Sequence, residues 1–250
     1  MQERYAGDIG DFVKLGLLRH VAAPIDEGGA GLTVALNWYL APDESHNADG
    51  KHVAYLAPSH RHHTSLAACD PPLMATLAQV VATGRSVAAL NASGALPAGS
   101  AEYSEMLAAG SLGRTDWHRR ALATLADAAV VFADPDNGIR SSPSAGKLHK
   151  YALTSELSEY AARGQSLVVY QHADRSAPAS AQAGRRLTEL ADDVRQVPVG
   201  TVISRRGSCR FFLVTATDDH AARVSSALET FVSRWHPHVE LAAAAAPIPN

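Results

Sequence analysis

Apolar residues fall along this chain in two patterns. Short β-branched runs end in turn formers, and longer stretches repeat with helical period. The runs Leu32–Leu40, Arg85–Leu90, Ala128–Ala133 and Ser166–Tyr170 predict strands buried on both faces. Between them, Pro71–Thr83, Trp117–Ala126, Glu156–Ala162 and Gln182–Val194 predict helices, and Arg223–Trp235 predicts a closing one. Near the start, Phe12, Leu15, Leu18 and Val21 share one helical face, so a helix opens at Asp8–Asp11 and docks on the core. Asp116 and Thr154 are the expected N-caps of their helices, and Trp117 is a core residue. Thr201–Arg205 and Arg210–Thr215 flank Gly207 and pattern as an antiparallel hairpin. Residues 91–115 are rich in Gly, Ala and Ser, the composition of a surface excursion or lid, and the Ala- and Pro-rich tail 241–250 is expected to be mobile. Strands alternating with helices imply a single α/β domain over residues 1–240: a mostly parallel sheet, helices on both faces and a terminal antiparallel hairpin.

The polar residues concentrate where strands stop. Val130-Val131-Phe132-Ala133 runs straight into Asp134-Pro135-Asp136-Asn137-Gly138. Proline lacks a backbone donor, so the strand ends there and places Asp134 and Asp136 at its carboxyl edge, where open α/β sheets hold ligands. Ser166–Tyr170 likewise ends in Gln171-His172-Ala173-Asp174, and Leu32–Leu40 is followed by Asp43 and a polar loop carrying Asn47, Asp49, Lys51 and His52. A second dense motif, Tyr5-Ala6-Gly7-Asp8-Ile9-Gly10-Asp11, opens the first helix. Capping explains one of its acids; two glycines beside two acids also suit close approach of a ligand to free N–H groups. The basic residues Arg140, Lys147 and Lys150, and Arg205, Arg206 and Arg210 near the hairpin connection, are candidate phosphate contacts or a solvated face. His60-Arg61-His62-His63 has no familiar zinc spacing.

Composition narrows the field. The 250 residues, 46% hydrophobic and 19% charged, are those of an ordinary globular domain, and a net charge of −3 draws it to neither nucleic acid nor membrane as a whole. A nucleic-acid partner would need a local basic patch. Two isolated cysteines, Cys69 and Cys209, supply neither a zinc ribbon nor a disulfide framework. With no apolar run of membrane-spanning length and no apolar leader at the start, a cytoplasmic location is the default expectation.

Taken together, Y-A-G-D-I-G-D-F-V-K-L-G-L-L-R-H at Tyr5–His20 and D-P-D-N at Asp134–Asn137 resemble the bacterial ribosomal-RNA adenine-N6 methyltransferases with a helical N-terminal motif. G-D-I-G-D-F with D-P-D-N-G also looks like the signature of a bacterial family of its own. The resemblance implies a three-layer, Rossmann-like class I methyltransferase fold and S-adenosylmethionine as cofactor. It lays the family's catalytic D-P-P-Y turn on Asp134-Pro135-Asp136-Asn137, with Asp134 orienting the acceptor amine. Tyr5, Gly7, Asp8, Gly10 and Asp11, with Asn37 and Asp43, would then hold the cofactor. The chain departs from the family twice. Leu32–Leu40 ends in Ala-Pro-Asp-Glu without a glycine-rich turn, and Asn137 replaces the aromatic residue that stacks on a flipped base.

Three functional classes follow. The first is methyl transfer to a nucleic-acid base or similar amine, with Asp134, Asp136, Asn137 and His172 as the catalytic set. The second is a metal-dependent phosphoesterase or nuclease, in which Asp8, Asp11, Asp134, Asp136, His172 and Asp174 hold Mg²⁺ or Mn²⁺. The third is a binding module on an old enzyme fold.

Overall fold

A computed structural model of the chain describes residues 1–24, 30–44, 52–107, 113–143 and 147–244. Asn47, Asp49 and Lys51, the middle of the basic loop and the end of the tail lie outside the described residues. The helices are α1 (Ile9–Ala22), α2 (His63–Ala67), α3 (Pro71–Thr83), α4 (Val87–Ala92), α5 (Arg114–Thr124), α6 (Thr154–Ala162), α7 (Ala179–Val194) and α8 (Asp218–Trp235). The strands are β1 (Val34–Asn37), β2 (Ala101–Tyr103), β3 (Val130–Ala133), β4 (Gly138–Arg140), β5 (Tyr151–Leu153), β6 (Ser166–His172), β7 (Val197–Ser204), β8 (Arg210–Ala216) and β9 (Val239–Ala242).

Seven strands form one mixed sheet in the order β2-β1-β3-β6-β8-β7-β9. The first four are parallel to their neighbours, with Val34 opposite Val130 and Val130 opposite Ser166. Then β8 inserts antiparallel between β6 and β7, and β9 adds antiparallel to β7. Half the pairings are thus antiparallel, so the sheet is mixed where a mostly parallel one was expected. A separate parallel pair joins β4 to β5.

Side chains alternate between two cores, one on each sheet face. Val130 and Phe132 share one cluster with residues of α1, α3, α4 and α8; Val131 and Ala133 share the other with residues of α5, α6 and α7. Asp8 caps α1, its Oδ1 accepting from the N–H of Gly10 (2.7 Å) and Asp11 (3.1 Å), while Arg19 and His20 stand in the last turn. From Ile9 to Leu18 every α1 residue is buried, because α3 and α8 cover the sides that the sheet leaves.

Four expectations change. Arg85–Leu90 is not a strand: Ser86 caps α4 through the Ala89 N–H (3.0 Å), and Val87 and Leu90, three apart, turn to the core. Residues 91–115 are not a surface excursion throughout, since Ala101–Tyr103 pairs with β1; residues 108–112 lie outside the described residues. Within the expected tail, Leu241 and Ala242 belong to β9. Gly113 rather than Asp116 precedes α5, and Leu153 rather than Thr154 precedes α6, its N–H donating to Glu156 Oε2 at 3.0 Å. Trp117 is buried as expected.

At the start of α3, Asp70 Oδ1 accepts from the Leu73 N–H (3.0 Å) and the carboxylate pairs with Arg19 of α1 (3.1 Å). Asp70→Ala is expected to lower stability by about 1–2 kcal/mol, a cap plus a half-exposed ion pair, measurable by urea denaturation.

Candidate functional site

The reversal of strand order between β1 and β3, with β2 on one side and β6 on the other, makes the carboxyl ends of these strands a natural crevice. Residues 1 and 2 fill its centre. The Met1 amino group donates to the carbonyls of Asp134 (2.8 Å) and Tyr39 (3.2 Å), and Gln2 Nε2 donates to Asp136 Oδ2 (2.7 Å). Beside this plug, toward β6 and β8, opens a pocket of about 490 Å³.

This pocket gathers most of the residues singled out in the sequence. Asp134, Asp136 and Asn137 come from the turn after β3, His172 from the end of β6, and Tyr5, Asp8, Gly10 and Asp11 from the segment that opens α1. Lys147, Lys150 and Arg210 line it as well. Four predicted cofactor or metal residues lie elsewhere. Asn37 is buried under the sheet edge, donating to the Tyr160 hydroxyl (3.0 Å) and accepting from the Tyr39 N–H (3.2 Å). Gly7 donates to Asp11 Oδ2 (2.7 Å) and accepts from the Tyr55 hydroxyl (3.1 Å). Asp43 is exposed at the Arg4 N–H (3.4 Å), and Asp174 is an exposed turn acid bonded to the Ser176 N–H (2.8 Å). Nor do the six basic residues form one face. Arg140 stacks on Tyr151 at 3.8 Å, Arg205 pairs with Glu240 at 3.0 Å, and Arg206 lies against His62 and His238.

At the centre sits Lys14, which the sequence reading passed over. One helical turn beyond Asp11, its Nζ lies 2.8 Å from Asp11 Oδ1 and 2.5 Å from Asp134 Oδ2. The ammonium also lies 5.3 Å from the Trp38 ring and 5.8 Å from Phe132, within cation–π range. Burial alone would lower its pKa, yet the two carboxylates outweigh burial and hold it above the ordinary lysine value. Burial pushes Asp11 up to about 6, against the pull of Lys14. At the outer side, Lys150 Nζ bridges Asp136 (3.0 Å) and Glu44 (2.6 Å). Burial opposes ionisation of Asp136, but the amino terminus, Gln2 and Lys150 together hold its pKa below the usual carboxylate value.

The β6–β8 wall carries Tyr170, whose hydroxyl lies 3.2 Å from His172 Nδ1 and whose pKa burial pushes up to about 12. His172 pairs across the sheet with Arg210, which donates to Ser208 Oγ (2.8 Å) and lies 3.7 Å from Asp8 Oδ2. Gly10 lets the guanidinium lie against α1, because a Cβ there would stand 2.5 Å from Nη1. The pocket therefore carries both signs of charge: Lys14, Lys147, Lys150 and Arg210 face Asp8, Asp11, Asp134, Asp136 and Glu44, while burial lowers the pKa of the Met1 amino group. Such a wall suits a ligand carrying both signs of charge, with Tyr5 and Tyr170 as its aromatic surface.

Carboxylates in the pocket already hold protein cations. Lys14 stands between Asp11 and Asp134 where a metal ion would sit, and among the described residues no three His, Cys, Asp or Glu side chains are grouped to hold one. At the histidine cluster, Arg206 Nη1 likewise lies 3.1 Å from His62 Nε2. No described helix is long and apolar enough to cross a membrane. Compared with protein-family models and with curated proteins, the chain matches none.

Proposed function

We propose that this chain is a methyltransferase-like enzyme of three-layer, Rossmann-like build, transferring a methyl group from S-adenosylmethionine to a nucleic-acid base or similar amine. One observation carries the reading. An antiparallel strand inserted between β6 and β7 follows the parallel β1-β3-β6 unit, and the acid ending β3, Asp134, lines the pocket. That is the layout the resemblance to the adenine-N6 enzymes implies, with Asp134 at the place of their catalytic acid.

The donor set fits the cofactor away from the family's usual place. Under a glycine-rich turn after β1 the methionine end would lie, but here Tyr39 and the Met1 amino group close that crevice. The mixed charges of the pocket suit a zwitterion instead: Asp8 and Asp136 for an ammonium, Lys147, Lys150 and Arg210 for a carboxylate, Tyr5 and Tyr170 for a ring. When bound, S-adenosylmethionine supplies an activated methyl group. The protein's share is alignment. Lys14 fixes the Asp134 carboxylate at the strand end, Asp134 accepts a hydrogen bond from the acceptor amine, and exposed His172 stands at the pocket to take a proton. Partner nucleic acid would meet Lys147, at the exposed rim.

A metal-dependent phosphoesterase draws support from the convergence of Asp8, Asp11, Asp134, Asp136 and His172 in one pocket. It ranks second because Lys14 stands between Asp11 and Asp134, and because among the described residues no three His, Cys, Asp or Glu side chains are grouped to hold an ion. Thermal unfolding with S-adenosylmethionine, S-adenosylhomocysteine, Mg²⁺ or Mn²⁺ added separately decides between them. An adenosyl compound at a hundred times its Kd stabilises by about 2.7 kcal/mol, and Asp136→Ala should weaken that effect. A midpoint raised only by cations would replace the first reading with the second; no shift with either class would leave a binding module.

A further inference from the structure

Arg206, in the connection between β7 and β8, donates through Nε to His238 Nδ1 at 3.1 Å and lies with Nη1 3.1 Å from His62 Nε2. A guanidinium has only donors, so both ring nitrogens must be unprotonated acceptors. The two imidazoles meet edge to face with centroids 5.9 Å apart, and His60 stands 5.8 Å from His62. Three separate parts of the chain meet here: the residue before α2, the β7–β8 connection and the residue before β9. The same connection forms a wall of the pocket. Ser208 and Arg210 line it, and Gly207 packs on α1 and on His52, since a Cβ there would stand 3.1 Å from Ile9 and 3.2 Å from the His52 ring.

We propose that the His62–Arg206–His238 clasp is an acid-sensitive latch, which holds the β7–β8 wall of the pocket shut while both imidazoles are neutral. Protonating either ring removes the lone pair that accepts from Arg206 and sets a second cation 3.1 Å from the guanidinium. The surroundings offer that cation little relief. Arg61 and His60 face His62; His62 and His236 face His238, whose charged form only the Ser65 backbone favours; and Glu240, two residues along, is held by Arg205. Burial and Arg206 lower the pKa of both rings, that of His238 to about 4, so the clasp is closed at neutral pH. Because the folded values lie below the ordinary 6.5, the stabilisation is present above that pH and is lost as pH falls toward about 4. The inference concerns the pocket wall and holds whatever ligand the pocket takes.

Amide hydrogen exchange of the full chain, compared at pH 7.5 and 5.0 and corrected for intrinsic chemistry, tests it. The amide of Ala173, which donates to the Cys209 carbonyl (3.2 Å), and those of the strand ends at Ser204 and Arg210 should exchange about tenfold or more faster in acid, while β3 and β6 stay protected. His62→Gln with His238→Asn keeps acceptors that do not titrate, and should abolish the acid effect. If that pair does not fold, His62→Gln alone, at a half-exposed position, should move the opening to lower pH. Equal protection of these amides at both pH values, or an unchanged opening in the substituted protein, would overturn the latch.

Discussion

Lys14→Ala is expected to lower the stability of the chain by about 3–5 kcal/mol, the cost of leaving buried carboxylates without their partner. Both acids are almost wholly inaccessible, and Lys14 is the cation that touches them at 2.8 and 2.5 Å. Typical domains have about 5–15 kcal/mol in total, so the variant would stand near the edge of folding. Lys14→Met separates charge from packing, because a methionine stem can still cover Trp38 and Phe132. If charge dominates, Met should cost nearly as much as Ala. The loss should also shrink in acid. Asp11 already has a folded pKa raised to about 6 from 3.8, so its protonated form favours the fold, fully below 3.8 and fading as pH rises through 6. Without Lys14 that value must climb further, and the variant should regain stability as pH falls from 7 to 5. Urea denaturation at both pH values measures this; a loss under about 1 kcal/mol would mean that the triad is not held by its charges.

Lys14 also marks where the sequence stops being informative. A lysine three residues after an aspartate on a helix ordinarily reads as a solvent-exposed pair. Only the covering of α1 by α3, α8 and the sheet turns it into a buried one. The signal was present, since Leu15, Leu17 and Leu18 leave the helix little polar face, but its meaning depended on tertiary packing. The same division runs through the fold. Pro71–Thr83 is legible to the residue because Asp70 caps it, prolines open it and Gly84 follows it. Strand β3 is legible because a β-branched run meets D-P-D-N-G. By contrast, Ala101–Tyr103 and Val239–Ala242 are strands only because β1 and β7 offer them open edges; three or four residues carry too little pattern of their own. Arg85–Leu90 is short enough to satisfy both periods, and the Ser86 cap decided for helix. In the site, the turn acids and the α1 segment were legible from the strand-end rule. Met1 and Gln2 were not, because nothing in their chemistry announces that they fill the crevice between β1 and β3.

Trp235→Ala should cost about 3–5 kcal/mol, and its consequences should reach the pocket. The ring is fully buried at the end of α8, with Phe12 of α1 at 4.7 Å between centroids and Phe231 at 5.0 Å. Among the described residues its Nε1 has no hydrogen-bond partner, so the loss is one of packing and cavity. What the indole rests on is Gly16: a Cβ there would stand 2.2 Å from Cζ2, so α1 and α8 approach as closely as they do only with glycine at that place. Gly16→Ala should therefore destabilise the intact protein by about 1–3 kcal/mol through overpacking, despite the better helix propensity of alanine. In the Trp235→Ala background the sign should reverse. The added methyl then enters the space left by the ring, and the propensity gain of about 1 kcal/mol comes through unopposed. Denaturation of the four proteins of this cycle measures the coupling. Because α1 also carries Asp8, Asp11 and Lys14, loosening its contact with α8 should displace the Lys14–Asp134 pair, and Gly16→Ala in the alanine background should draw it back. Additive losses in the double variant would instead show that α1 is held in place by the sheet and α3, with Trp235 only filling volume.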